Sequence, residues 1–197
     1  CGDGRILLPL AQAGAAVVGL DHHAGMLELC AQRFEESGLQ AELICGDMTA
    51  FALPWRFDRV IIPYNSIYCL MSDRQQLACL RAARAHLAPG GKVLLDAYAA
   101  DPVCATDTVP TTVAPHPVAL FHDGDRQIEV VEHSVEDLEK QTIHATYDYQ
   151  ITFDDGRREK RSWTIPQRYM FPTQMLALLA RADLALEGFF GDFDEGP

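Results

Sequence analysis

Apolar residues follow two rhythms along this chain, and the rhythm changes once, near the middle. In the first half, short continuous apolar runs alternate with longer stretches where apolar residues return every third or fourth position. The runs at 16–20, 41–45, 57–62 and 92–96 predict strands, with the continuous ones buried on both faces. The stretches at 5–13, 24–36 and 73–87 predict helices. Met26, Leu27, Leu29, Cys30 and Phe34 fit one face of the second, and Leu77, Leu80, Ala83 and Leu87 one face of the third. Gly14 and Ser37-Gly38 supply helix stops, and Pro89-Gly90-Gly91 turns the chain into the strand at 92–96. Strands alternating with helices imply right-handed crossovers and a parallel sheet covered on both sides.

After residue 98 the helical rhythm stops. Residues 99–117, rich in Pro, Thr, Ala and Asp, read as a loop. The segments 118–121, 127–135, 142–153 and 159–165 read as strands with no helix between them. His122-Asp123-Gly124-Asp125 and Asp154-Asp155-Gly156 supply hairpin turns, so these strands pair antiparallel. A helix at 173–182 and a final strand at 184–190 close the pattern. The expectation is an α/β fold: a mostly parallel sheet with helices on both faces, and an antiparallel β insertion after the strand at 92–96. Residues 1–98 and 170–197 form the core on this reading, and 99–169 form a loop and antiparallel cap.

Composition narrows the functional classes. At 197 residues the chain is long enough for one domain with a sizeable core. A net charge of -12 argues against general nucleic-acid binding, because phosphate affinity comes largely from Lys and Arg. The basic cluster of Arg157, Arg158, Lys160 and Arg161 beside Asp154-Asp155-Gly156 reads as an exposed hairpin end of mixed charge. The six cysteines are scattered with no Cys-x-x-Cys pair, which fits buried reduced thiols in a cytoplasmic protein. No apolar run is long enough to span a bilayer. The histidines and carboxylates lack metal-ligand spacing, so no metal site is expected.

The candidate chemistry begins at residue 1. In Cys1-Gly2-Asp3-Gly4-Arg5, closely spaced glycines let a backbone turn approach a ligand where a Cβ would collide. Such a turn normally follows a buried strand, so the first strand is expected to precede the sequence as given. Asp21 ends the next apolar run, where a carboxylate can accept hydrogen bonds from ribose hydroxyls. Gly46-Asp47-Met48 and Pro63-Tyr64-Asn65-Ser66 follow the next two strands. Each motif has a structural explanation when taken singly: a tight turn, a helix N-cap at Asp21, a loop cap at Asp47. Taken in order, at successive strand ends, they describe a nucleoside-binding crevice.

These residues together resemble the class I S-adenosylmethionine-dependent methyltransferases. Cys1-Gly2-Asp3-Gly4-Arg5 is similar to the tail of the family's glycine-rich motif, Asp21 to its ribose-binding acid, and Gly46-Asp47-Met48 to its adenine loop. Leu87-Ala88-Pro89-Gly90-Gly91 is similar to the turn before the family's fifth strand. Tyr64-Asn65-Ser66 and Arg168-Tyr169 carry a narrower likeness to sugar N-methyltransferase-like enzymes that methylate small molecules. The resemblance implies a Rossmann-like fold, S-adenosylmethionine as cofactor, and in-line methyl transfer to a small-molecule acceptor, an amine ahead of a hydroxyl. Cofactor contacts are expected from Cys1, Gly2, Gly4, Arg5, Asp21, His22, Met26, Gly46, Asp47, Met48 and Tyr64. Tyr64, Asn65 and Tyr169 are expected at the acceptor, in orienting roles, with Tyr98 and His116 as further candidates near the mouth. No nucleic acid or membrane partner is expected; a homodimer is possible through the edges of the cap sheet.

Other residues carry duller expectations. His22 and His23 fit the cofactor edge or the helix start, and His122, His133 and His144 fit exposed polar positions on the cap. Trp55 and Trp163 fit packing roles, although Trp55 stands near the adenine loop. Two other functions fit the same pattern. A nicotinamide-dependent oxidoreductase would use Gly-x-Gly-x-x-Gly, but Leu7 occupies the third glycine position. A catalytically silent cofactor-binding or assembly protein on the same fold is the other.

Overall fold

The computed structural model describes residues 1–99, 111–194 and 196. Most of the expected 99–117 loop, Cys104 included, lies outside the described residues. The first half alternates α1 (Leu7–Gln12), β1 (Val18–Asp21), α2 (Ala24–Glu36), β2 (Glu42–Cys45), β3 (Phe57–Ile62), a 3₁₀ turn at Ser66–Cys69, α3 (Asp73–Ala85) and β4 (Leu87–Leu95). The second half runs β5 (Thr111–Asp123), β6 (Arg126–Asp137), β7 (Thr142–Phe153), β8 (Arg158–Arg168) and α4 (Pro172–Arg181).

The parallel strands form two ladders. β1 pairs with β2 from Val18↔Glu42 to Asp21↔Cys45, and β3 pairs with β4 through Val60↔Val93 to Ile62↔Leu95. Among the described residues no ladder joins the two pairs. β4 starts earlier than the sequence suggests, because the Pro89-Gly90-Gly91 turn is absorbed as an irregularity between the Phe57↔Leu87 and Arg59↔Lys92 pairs. A Cβ on Gly91 would stand 2.7 Å from the Phe57 carbonyl oxygen, so glycine is what lets the strands approach there.

Helical periodicity decides what each helix buries. α2 buries Leu27, Cys30 and Phe34 and packs against β1 and β2. Gly4 sits so close that a Cβ would meet the Cys30 Sγ at 2.7 Å, which fixes the glycine turn on the helix. α3 buries Leu77, Cys79, Leu80 and Ala83 and is capped by Ser72, whose side chain accepts from the Gln75 amide. These residues join Ile62, Ile67, Tyr68, Leu70, Tyr169, Met170, Leu178 and Ala182 in the main core. Truncating a fully buried member such as Leu80 to Ala should cost about 2–5 kcal/mol.

β5 to β8 form a four-stranded antiparallel meander in chain order, as the hairpin signals predict. The strands run longer than their apolar cores, and β5 reaches back to Thr111. β5 is exposed along its whole length. Its register to β6 shifts between Val113 and His116 and again between Pro117 and Ala119, at the two prolines, which cannot donate to a ladder. β8, the other edge, carries Pro166. Ile128, Val130 and Ile151 bury one face with Tyr147 and Phe153, while Leu138 and Ile143 at the other end pack on the main core.

Four expectations change. Residues 184–190 form no strand: they make no ladder, and Leu186, Phe189 and Phe190 are exposed. Among the described cysteines, Cys30 and Cys79 are buried and the Cys1 side chain is covered, while Cys45 and Cys69 lie exposed at a strand end and in the 3₁₀ turn. Trp55 and Trp163 are 43% and 63% exposed and do not serve as core residues. His133 is half-buried beside Asp148 on the cap sheet, with its Nδ1 lacking a hydrogen-bond partner among the described residues, so it is not a simple surface position.

Candidate cofactor and acceptor site

Parallel strands bring their carboxyl ends to one edge, and the acids of the sequence fall there. Asp21 closes β1 beside Cys45, which closes β2. Its carboxylate is held on several sides. Oδ2 accepts from the Gly2 amide at 2.7 Å and from the Cys1 nitrogen at 3.0 Å, and Oδ1 accepts from the His23 amide at 3.0 Å. Burial opposes its ionisation, but the His23 and Gly2 amides outweigh that and hold its pKa below 3.8. A carboxylate has about four lone-pair sites, so about one remains for a ligand hydroxyl. Asp21 thus also fastens the glycine turn to the end of β1.

The neighbours of that turn are set by short contacts. Gly2 and Gly4 have φ of +57° and +84°, which a side chain would strain. The Met26 methyl stands 3.6 Å from where a Gly2 Cβ would be, so the first turn of α2 adjoins the glycine turn. The Cys1 thiol packs over Gly19, so Cys1 faces the edge through its backbone. His23 caps α2 by accepting from the Met26 amide, the helix-start role expected of it, and His22 stands exposed 3.6 Å from Asp21.

Gly46-Asp47-Met48 follows β2. The Gly46 amide donates to the Asp21 carbonyl at 2.9 Å, tying this loop to the end of β1. Asp47 is exposed; the Thr49 amide donates to its Oδ1 at 2.7 Å and, with the Thr49 hydroxyl, lowers its pKa. Met48 is partly buried against the main core.

The end of β3 is built differently. Tyr64 and Asn65 sit consecutively in the left-handed region, at φ of 56° and 55°. That is costly for tyrosine and persists only where surroundings impose it. Asp96, which follows β4, imposes it: its Oδ2 accepts from the Tyr64 amide at 3.0 Å and its carbonyl from the Asn65 amide at 3.2 Å. The Tyr64 ring is 55% exposed, and the Arg5 guanidinium lies 3.8 Å over its centroid. One cation–π contact therefore joins the glycine turn to the end of β3.

Asn65 turns inward. Its Oδ1 accepts from the Tyr98 amide at 2.7 Å. The Tyr98 ring packs against Tyr68 at 5.1 Å and Tyr169 at 6.3 Å between centroids. Tyr169 is 2% exposed and reaches this cluster because Arg168 anchors β8 to α3. Arg168 donates to Asp73 at 2.6 Å and to the Gln76 side chain at 3.2 Å, while Gln76 donates back to the Arg168 carbonyl at 3.0 Å. Tyr64, Asn65, Tyr98 and Tyr169 thus form one connected path from an exposed ring to a buried one. His116 is exposed on β5, bonded to its own strand at the Ala114 carbonyl, and does not join that path in the structure. Asp96 and Gln76 escape sequence reading. Asp96 carries the strand-end acid signal that marked Asp21, whereas nothing local marks Gln76.

Residues 1–91 match the family described as "Methyltransferase domain". The chain is 30% identical over 96 residues to a cypemycin N-terminal methyltransferase from a Streptomyces species, covering 49% of this chain and 38% of that protein. It is 33% identical over 98 residues to a dTDP-3-amino-3,6-dideoxy-alpha-D-glucopyranose N,N-dimethyltransferase from Streptomyces fradiae, covering 50% and 37%. The chain's matches thus span less than half the length of these relatives. In fold it is similar to SAM-bound CalS10, an amino pentose methyltransferase from Micromonospora echinaspora, with a TM-score of 0.70 at 24% identity over 92% of this chain and 71% of that one. The methyltransferase resemblance of the sequence therefore agrees with the family match over residues 1–91 and with the fold.

Proposed function

We propose that this chain is an S-adenosylmethionine-dependent methyltransferase that methylates an amine on a small molecule. The observation that carries the reading is the pairing of Asp21 and Asp47 at the carboxyl ends of adjacent parallel strands, beside the Gly2–Gly4 turn. These residues fit the cofactor: Asp21 has a lone-pair site left for a ribose hydroxyl, and exposed Asp47 is an acceptor suited to the adenine amino group. Met48 and Met26 offer apolar contacts, and His22 lies at the exposed edge. S-adenosylmethionine supplies an already electrophilic methyl group, so the protein's work is to align the acceptor with it. Tyr64 and Asn65 orient the acceptor from the β3 end, with Arg5 fixing the Tyr64 ring. Tyr169 closes the acceptor side from the cap.

The amine is preferred to a hydroxyl because one relative named above is an N,N-dimethyltransferase and the other an N-terminal methyltransferase, and because the acceptor side is lined by aromatic rings. Residues 1–98 with 170–197 then act as the cofactor-binding core and 99–169 as the cap. The nicotinamide reading is not favoured, since Leu7 stands at its third glycine. The test is calorimetry with S-adenosylmethionine followed by turnover on dTDP-3-amino-3,6-dideoxyglucose. Binding with methyl transfer supports the enzyme. Binding without turnover on any amine or hydroxyl acceptor supports the silent protein, and failure to bind removes the reading.

A further inference from the structure

A half-buried carboxylate normally holds a counter-ion, because the water it loses must be replaced. Glu136 on β6 does not. Its neighbour Asp137 is paired with Lys140, and Asp148 and Glu159 are paired with Lys160, Arg157 and Arg161. Among the described residues no Lys, Arg or His pairs with Glu136. Its position follows from register: Glu136 lies opposite Ile143, whose side chain packs on the main core. There it faces the Tyr169 phenol. Burial raises that phenol's pKa, and the Glu136 charge and the phenol's hydrogen bond to that carboxylate add to the rise, so Glu136 has a neutral donor beside it but no cation.

The group beside it is also incomplete. Among the described residues the Tyr98 hydroxyl is buried with no hydrogen-bond partner, although its ring is fixed between Tyr68 and Tyr169. Buried hydroxyls without partners are uncommon and call for an explanation. Two aromatic rings, an orphan phenol and an unpaired carboxylate share one chemical complement: a small cation that donates hydrogen bonds.

We propose that Glu136, with the Tyr98 and Tyr169 rings, recognises the protonated amine of the methyl acceptor, an inference that rests on the amine-methyltransferase reading above. The carboxylate accepts from the ammonium, the Tyr98 oxygen accepts a second N–H, and the ring faces favour the charge. Asn65 ties this cluster to the β3 end, where the cofactor edge begins. Passing one ammonium proton to Glu136 leaves a neutral amine with its lone pair free and a neutral carboxyl. Glu132, on the same face of β6 and set against Tyr147, provides an internal control of similar charge.

The experiment is calorimetry in saturating S-adenosylhomocysteine with dTDP-3-amino-3,6-dideoxyglucose and its 3-hydroxy counterpart as probes, on the wild type, Glu136→Gln and Glu132→Gln. The wild type should prefer the amine at least about tenfold, the scale of a hydrogen bond to a charged group. Glu136→Gln should lose that preference, with affinity for the hydroxy sugar and S-adenosylhomocysteine unchanged, and Glu132→Gln should keep it. A preference that survives Glu136→Gln, one lost equally in both variants, or none in the wild type overturns the proposal. Thermal unfolding without ligand decides the case if neither sugar binds. Removing an uncompensated charge should raise the melting temperature of Glu136→Gln by about 2 °C or more. A lower value would make Glu136 a structural partner of Tyr169 and overturn the proposal. Failure to bind S-adenosylhomocysteine is a separate result and removes the methyltransferase reading itself.

Discussion

The two strand-end clusters of the molecule are built on opposite plans. At the β1–β2 end, Asp21 is satisfied at all but about one lone-pair site: backbone amides hold its carboxylate ionised, and the glycine turn is fastened to it. At the β3–β4 end, strain and unmet demand accumulate. Tyr64 and Asn65 hold left-handed backbone, and among the described residues the Tyr98 hydroxyl has no partner. A group that binds the same molecule in every catalytic cycle gains from being set in advance, because little is then spent on ordering it. A group that must discriminate acceptors gains from polar atoms that only the right ligand satisfies.

The comparison can be broken at several points. The largest effect is expected at Asp21. Asp21→Ala should weaken S-adenosylmethionine binding by about 1.5–3 kcal/mol and also lower stability, because the Gly2 amide loses its acceptor. Unchanged affinity by calorimetry in a folded variant would sink the assignment. The pH dependence follows the same residue. With a folded pKa below 3.8, its stabilising effect is complete above that value and is lost as pH falls through the folded pKa. Acid unfolding should therefore begin at higher pH, relative to neutral stability, in the wild type than in Asp21→Asn, as circular dichroism can measure.

The anchor between cap and α3 comes next. Gln76 is fully buried, so Gln76→Leu leaves the Arg168 carbonyl and guanidinium short of partners and should cost about 1–3 kcal/mol in urea unfolding. Turnover should fall more than cofactor affinity, because the displaced residue is Tyr169. Tyr64→Phe and Tyr169→Phe should lower kcat with cofactor affinity nearly unchanged. Equal loss of cofactor binding in both would move these residues out of the acceptor site. The smallest effect belongs to Arg5→Gln, which removes the stacking on Tyr64 and should cost about 0.5–1 kcal/mol, detectable as a small shift in melting temperature.

What the sequence revealed divides along the same line. The bounds of α2 and β3, the hairpins and the strand-end acids all follow from local rules, and the structure agrees with each. The Asp21 position could be read because one acid ends one apolar run. The proposed acceptor end was legible only in part: Tyr64, Asn65 and Tyr169 stand out as residues, but their connection runs through Asp96, Gln76 and Tyr98, each 30 or more positions away from a partner. Periodicity carries no information about such pairs. The strand expected at 184–190 shows the opposite failure, since an apolar run becomes a strand only when a neighbour offers a ladder.

The prolines of the cap edges bear on how this protein behaves in a crowd. Pro115 and Pro117 on β5, and Pro166 on β8, each remove a donor from a strand with no neighbour on one side. A second sheet laid edge to edge would find its ladder broken near each proline, so long intermolecular pairing is discouraged. Replacing Pro115 and Pro117 together by Thr should make the chain more prone to aggregate through β5 at high concentration, which light scattering would register.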